Sequence, residues 1–260
     1  MSMKLFYSPI HDFIHKSVVV AEEVGVWDQI EAVPVYPRTH GYSIAAINPL
    51  AKVPTLVLED GVVLFGSQVI AEYLDSISAN GVRVYPPAGP KRWNALTRLA
   101  LADIFFDLVV RIIHEHLIDT PGEHIVQWTW PKLMRGLDRM EHDAVSAEGF
   151  DIGHIGTLQA LTYFDRQVAV TLPSPAPATF DWREGRPGLT AWFEKAIVRR
   201  SVAAHFKQPY VGDDSPEFCQ RKVAEVLRVQ GRAADPATAE LPLVDFVVPA
   251  TASADRSSRH

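Results

Sequence analysis

The stretch Tyr7–Lys16, YSPIHDFIHK, gathers groups that can hold a metal or move a proton. His11 and His15 stand four apart, so on a helix they share one face, as the histidines of an H-E-x-x-H zinc site do. The same residues can instead belong to a site that handles a thiol, or form the polar start of a helix. The metal reading is the weakest. Asp12 is one methylene shorter than the glutamate of that motif and no third ligand is marked, so no metal is expected.

A second charged set lies downstream. Asp103, Asp107, Arg111 and Glu115 recur at four-residue spacing within an otherwise apolar segment, which places them along one helix face. If exposed, they form an ion-pair ladder contributing ~0.2–0.5 kcal/mol per pair. On so apolar a helix, the stripe is expected to face a cleft or an interface rather than free surface. His114, Glu115 and His116 point to different sides of that helix and make poor joint ligands.

The elements that must carry these residues follow from the pattern. MKLFYS reads as a buried strand, and Asp12 to Gly25 as a helix. WDQIEAVPVYP reads as a second strand. VPTLVLEDGVVLFGS is a hairpin turning at Asp60-Gly61, after which Ser67 can cap a helix to about Ser78. NGVRVYPPAGPKR is a linker rich in Gly and Pro. Beyond it the signal is helical, with a long segment from Trp93 to about Leu117 and a last helix of the main body from about Leu189. SPEFCQRKVAEVLRVQG can form one more amphipathic helix, ELPLVDFVVP an extended arm, and ATASADRSSRH is expected to be disordered. The expected domains are 1–80 (α/β), 81–90 (linker), 91–210 (all-α) and 211–260 (extension).

The totals bound the function. The chain has 260 residues, 47% hydrophobic and 22% charged, with net charge −6 and pI near 5.9. That length fits one large domain or two small ones. The charge balance suggests no nucleic-acid surface. No apolar run reaches the ~18 residues of a membrane span. MSMKLFYSP lacks the apolar core of an export signal. Cys219 is the only cysteine, which excludes an internal disulfide and fits a reducing cytoplasm.

Four segments, in order over roughly residues 3–208, resemble the glutathione transferase family. They are YSPIHDFIHKSVVVAEEVG, INPLAKVPTLVLEDGVVLFGSQVIAEYLD, LALADIFFDLVVRIIHE and DWREGRPGLTAWFEKAIVRRSV. The resemblance implies a thioredoxin-like N-terminal domain, an all-α C-terminal domain, and usually a homodimer. It implies glutathione as co-substrate, with no metal, and a small electrophile beside it, as in detoxification. Val53-Pro54 would be the family's cis-proline turn, leaving the Val53 N–H and C=O free to pair with the tripeptide. Ser67, at a helix N-terminus, would take the γ-glutamyl carboxylate. Phe106, Asp103, Asp107 and Arg111 would line the electrophile pocket.

The sequence departs from the family at three places. Gly66 stands where Glu, Asp or Gln is common; Gln68 is near but one position late. His11 stands where related bacterial proteins have Ser or Cys. A glutathione thiol with a pKa near ~8.5 needs a donor to become a thiolate at neutral pH. His11, Tyr7 and Ser8 are all candidates. At Asp151-Ile152-Gly153-His154, a histidine replaces the acid of a capping box, and Gly153 and Gly156 should loosen that helix start by up to ~1 kcal/mol each. These departures keep a second expectation open, a non-catalytic binding protein on the same fold.

Overall fold

The computed structural model describes residues 2–8, 15–35, 44–116, 123–145, 149–171, 180–206 and 215–232. The first part alternates strand and helix: β1 (Met3–Tyr7), α1 (His15–Glu23), β2 (Ile30–Pro34), β3 (Thr55–Val57), β4 (Val63–Phe65) and α2 (Ser67–Ser76). The sheet order is β2-β1-β3-β4; β1 and β2 are parallel and the other pairs antiparallel. This is a thioredoxin-like arrangement. The rest of the described chain is helical: α3 (Pro90–His116), α4 (Glu123–Val145), α5 (Ile152–Thr171), α6 (Pro187–Ile197), α7 (Arg200–Phe206) and α8 (Pro216–Val229).

Strand alternation sends successive side chains to opposite faces. Met3, Leu5 and Leu56 join the core shared with α1, α2 and the helical part. Phe6, Val33 and Val57 face the other way, and there α8 covers them with Cys219, Val223, Val226 and Leu227. Burying a side chain such as Leu227 contributes roughly 1.5–3 kcal/mol. Ser215 caps α8 by accepting from the Phe218 N–H, with Pro216 beginning the helix. Around the apolar contact Lys222 reaches Glu31 at 2.5 Å, Glu225 reaches Lys4 at 3.6 Å, and Gln230 donates to the Gly61 carbonyl at 2.8 Å. The amphipathic helix expected from the extension is therefore a second cover for the sheet. The expected arm and tail lie outside the described residues.

The start of α5 shows why its glycines are there. Asp151 Oδ1 accepts from the Gly153 and His154 N–H groups, and His154 Nδ1 accepts from the Asp151 N–H at 3.0 Å. The imidazole thus performs the reciprocal half of the box, and Arg98 on α3 ties Asp151 at 2.5 Å. A β-carbon at Gly153 would lie 2.6 Å from the Ala95 carbonyl oxygen; one at Gly156 would lie 2.8 Å from Leu99 Cδ1. The expectation that these glycines loosen the helix is corrected: they let α5 press against α3 at backbone distance.

Two outcomes follow from this packing. Gly153→Ala should lose about 1–3 kcal/mol despite the better helix propensity of alanine, because the Ala95 carbonyl cannot turn aside. A urea midpoint that rises would refute the close-approach account. The second concerns acid. Burial alone would raise the Glu31 carboxyl, but Lys222 and Lys4 hold it below its ordinary value of 4.5. Its contribution is therefore present above that value and is lost as pH falls through the folded one. With Glu31 about a third exposed, the effect should stay under about 1 kcal/mol. Glu31→Gln should flatten the acid limb of stability against pH; an unchanged limb would exclude this pair as its source.

Candidate functional site

The loop before β3 is braced by one buried amide. Asn48 Nδ2 donates to the Lys52 carbonyl and to Thr55 Oγ1, both at 2.9 Å, while its Oδ1 accepts from the Leu50 N–H at 3.1 Å. Thr55 Oγ1 also donates to the Lys52 carbonyl at 2.8 Å. These bonds shape the turn that ends in the cis Val53–Pro54 peptide bond, as expected from its sequence. The hairpin then returns through β4 to Gly66, whose φ of +88° favours glycine. A side chain at position 66 would meet nothing within 4 Å.

Ser67 is the first residue of α2 rather than its cap. Gly66 occupies the cap position and no side chain caps this end. The serine is instead engaged from below. Lys16 on α1, with its side chain 1% exposed, places Nζ 3.3 Å from Ser67 Oγ and 2.5 Å from Asp103 Oδ1. Asp103 comes from α3, so this ammonium ties the sheet part to the helical part. Its other oxygen, Oδ2, accepts from Gln68 Nε2 at 2.5 Å. The Tyr85 hydroxyl donates to the Gln68 carbonyl at 3.2 Å, and burial raises the pKa of that phenol.

Electrostatics follow from this burial. Desolvation lowers the Lys16 pKa, with Asp103 and Asp107 opposing it. Burial and the neighbouring Asp103 raise the Asp107 carboxyl, against Lys16. The stripe expected on α3 therefore has its partners elsewhere: Asp103 meets Lys16 and Gln68, Arg111 is exposed, and the Glu115 side chain lies outside the described residues. Phe106 is buried in the core and stacked on Tyr163 at 4.4 Å between centroids. Of the other candidates, Tyr7 ends β1 and its carbonyl accepts from the Val35 N–H. Ser8 is buried and its hydroxyl has no partner among the described residues. His11 lies outside the described residues. Among those described, no group of three or more metal-ligating side chains is assembled, and no helix is long and apolar enough to cross a membrane.

Sequence reasoning matched Lys16 to a lysine of the family but gave it no role in the site. Its only local signal is a charged residue directly before the apolar run of α1, and its partner lies 87 positions away.

This architecture, a thioredoxin-like sheet beside a helical part, is that of the glutathione transferases. The family model described as glutathione S-transferase, N-terminal domain, matches residues 12–77. A glutathione transferase family member from Pseudomonas fluorescens Pf-5, crystallised with bound glutathione, is 31% identical, with TM-score 0.68 over 81% of this chain and 100% of that one. A structure of a Pf-5 family member with bound S-(propanoic acid)-glutathione is 30% identical, with TM-score 0.65 over 82% and 100%. An Escherichia coli K12 protein described as the uncharacterized GST-like protein YibF is 26% identical over 209 residues, 77% of this chain and 96% of that protein. The chain belongs to the glutathione transferase family.

Asn48→Ala should cost about 1–3 kcal/mol, since it strands the Lys52 carbonyl and the Leu50 N–H in a buried turn. Thermal unfolding of the variant checks this; a loss within a few tenths of a kcal/mol would mean that water or the loop itself replaces the amide.

Proposed function

We propose that this protein binds glutathione against Val53 and Ser67 and adds its thiolate to a small electrophile. The observation that carries the reading is the pairing of the cis Val53–Pro54 turn with Ser67 at a helix N-terminus backed by a buried ammonium. The Val53 N–H and C=O would pair with the cysteinyl part of the tripeptide as an added strand does. Ser67, with Gly66 and Gln68 on either side, would receive the γ-glutamyl end, where free N–H groups and the helix dipole favour a carboxylate. The thiol would lie near Tyr7–His11, where Tyr7, Ser8 and His11 are the candidate donors. A hydrogen bond to sulfur favours the thiolate, and a protonated His11 would add charge. The sulfur lone pair would then form a C–S bond, displacing a leaving group or adding to a double bond. The electrophile would enter beside Asp103, Asp107 and Arg111.

The reading includes a homodimer. Phe65, Val69, Trp93 and Ile104 are large exposed apolar residues on β4, α2 and α3, surface that suits burial by a second copy. It also includes the division into 1–80, 81–90, 91–210 and 211–260, and a reducing, cytoplasmic setting for the lone Cys219.

A calorimetric titration with glutathione at neutral pH tests the binding step, and thioether formation with an activated aryl chloride tests the chemistry. Saturable binding, weakened about tenfold or more in Ser67→Ala, with conjugate formed, is the expected result. Binding without conjugate would favour the non-catalytic reading, which Gly66 and His11 motivated. No saturation at millimolar glutathione would overturn the transferase reading and leave the non-catalytic binding protein in its place.

A further inference from the structure

The helix α8 (Pro216–Val229) lies beyond the four segments that resemble the family, all of which end by residue 208. It packs on the sheet face opposite α1 and α2. Any effect of α8 on a ligand at Val53 must therefore pass through the chain between them.

The apolar side of α8 covers more than strands. Ile44 and Ile47, both buried, belong to the same cluster as Cys219, Val223, Val226 and Leu227, and Ala51 and Val53 pack against that cluster. These four residues flank Asn48, two before it and two after. The turn that ends at the cis Val53–Pro54 bond thus has two supports, the Asn48 amide within it and the α8 cluster on which it rests. It needs them. Ala51 has a φ of +50°, left-handed backbone that an L-residue enters at a cost and keeps only where its surroundings over-determine it.

The helix is itself fixed at three places. Lys222 reaches Glu31 on β2, Glu225 reaches Lys4 on β1, and Gln230 donates to the Gly61 carbonyl in the β3–β4 turn. A β-carbon at Gly61 would lie 3.1 Å from Val229 Cγ1, so the end of α8 sits close on that turn. Anchored across the sheet in this way, α8 has little freedom to slide, and what rests on it is held with it.

Resting on the glutathione reading above, we infer that α8 is a positioning element for the peptide-pairing turn. It holds Ile44, Ile47, Ala51 and Val53 so that the Val53 N–H and C=O stay poised for the tripeptide. Binding and docking are then reciprocal: a ligand that needs the ordered turn favours docked α8, and loosening α8 weakens the ligand. A change far along the chain is read at the glutathione site without touching the ligand.

Leu227→Ala tests this, since Leu227 is buried in the cluster but belongs to α8. Leu137→Ala, a like truncation in the core of the helical part, controls for general loss of stability. Calorimetry on protein shown to be folded by circular dichroism should give glutathione binding weakened about fivefold or more in Leu227→Ala and within about twofold of native in Leu137→Ala. Leu227→Met, close in volume, should return affinity to within about twofold of native. Val223→Ala, a smaller truncation of the same cluster, should weaken binding in the same direction and takes the place of Leu227→Ala if that variant does not fold. Equal losses in the α8 and Leu137 variants would reduce α8 to a general contributor to stability and overturn the positioning role. Affinity within about twofold of native in every α8 variant would overturn it too, with the glutathione reading left standing. Native protein that shows no saturation would overturn the glutathione reading and the coupling with it.

Discussion

A primary ammonium taken out of water is costly to keep charged without a counter-charge, and Lys16 has been taken out almost completely. That constraint organises the site. Lys16 sits at the second residue of α1, buried against Ser67 at the start of α2. Its carboxylate has to come from outside the sheet part, and Asp103 on α3 supplies it. Such a pair is not itself a source of large stability, since the attraction mostly offsets desolvation. What it gives is registry: α3 is held so that one particular turn, carrying Asp103 and Asp107, lies over the N-terminus of α2.

The second constraint is the two-sided sheet. Four short strands cannot stay folded with an apolar face in water. One face is covered by α1 and α2, which also carry Lys16 and Ser67 to the site. The other face, formed by Phe6, Val33 and Val57, is covered by α8 from the far end of the chain. Burial holds the Cys219 thiol up at about 11, so within this interface the cysteine packs as a small apolar side chain rather than a reactive one. The extension thus shares in the fold on which the site depends.

How much of this was legible in the sequence depends on the range over which each feature is encoded. The cis Val53–Pro54 turn and the hairpin into Gly66 were legible because their determinants are local: Asn48, Lys52 and Thr55 all fall within eight residues. The α8 helix was legible from its period, but its docking place was not, because nothing in its own residues names Phe6 or Val33. Ser67 misled slightly; a serine between a strand and a helix reads as a cap, yet the positive φ of Gly66 moves the helix start by one residue. Gly153 and Gly156 misled more. Propensity counts a glycine as a loss, whereas its value here lies in the Ala95 carbonyl and Leu99 of another helix. Lys16 and Asp103 were each visible as charges, but their pairing across 87 residues is a tertiary fact.

Charge balance links the two ends of the site. Lys16 and Asp103 cancel, and Asp107 adds a negative charge beside them, resisted by burial and by its neighbour Asp103. Lys16 lies on the sheet part and Asp103 on the helical part, so any shift of α3 against the sheet breaks the ion pair that holds this junction.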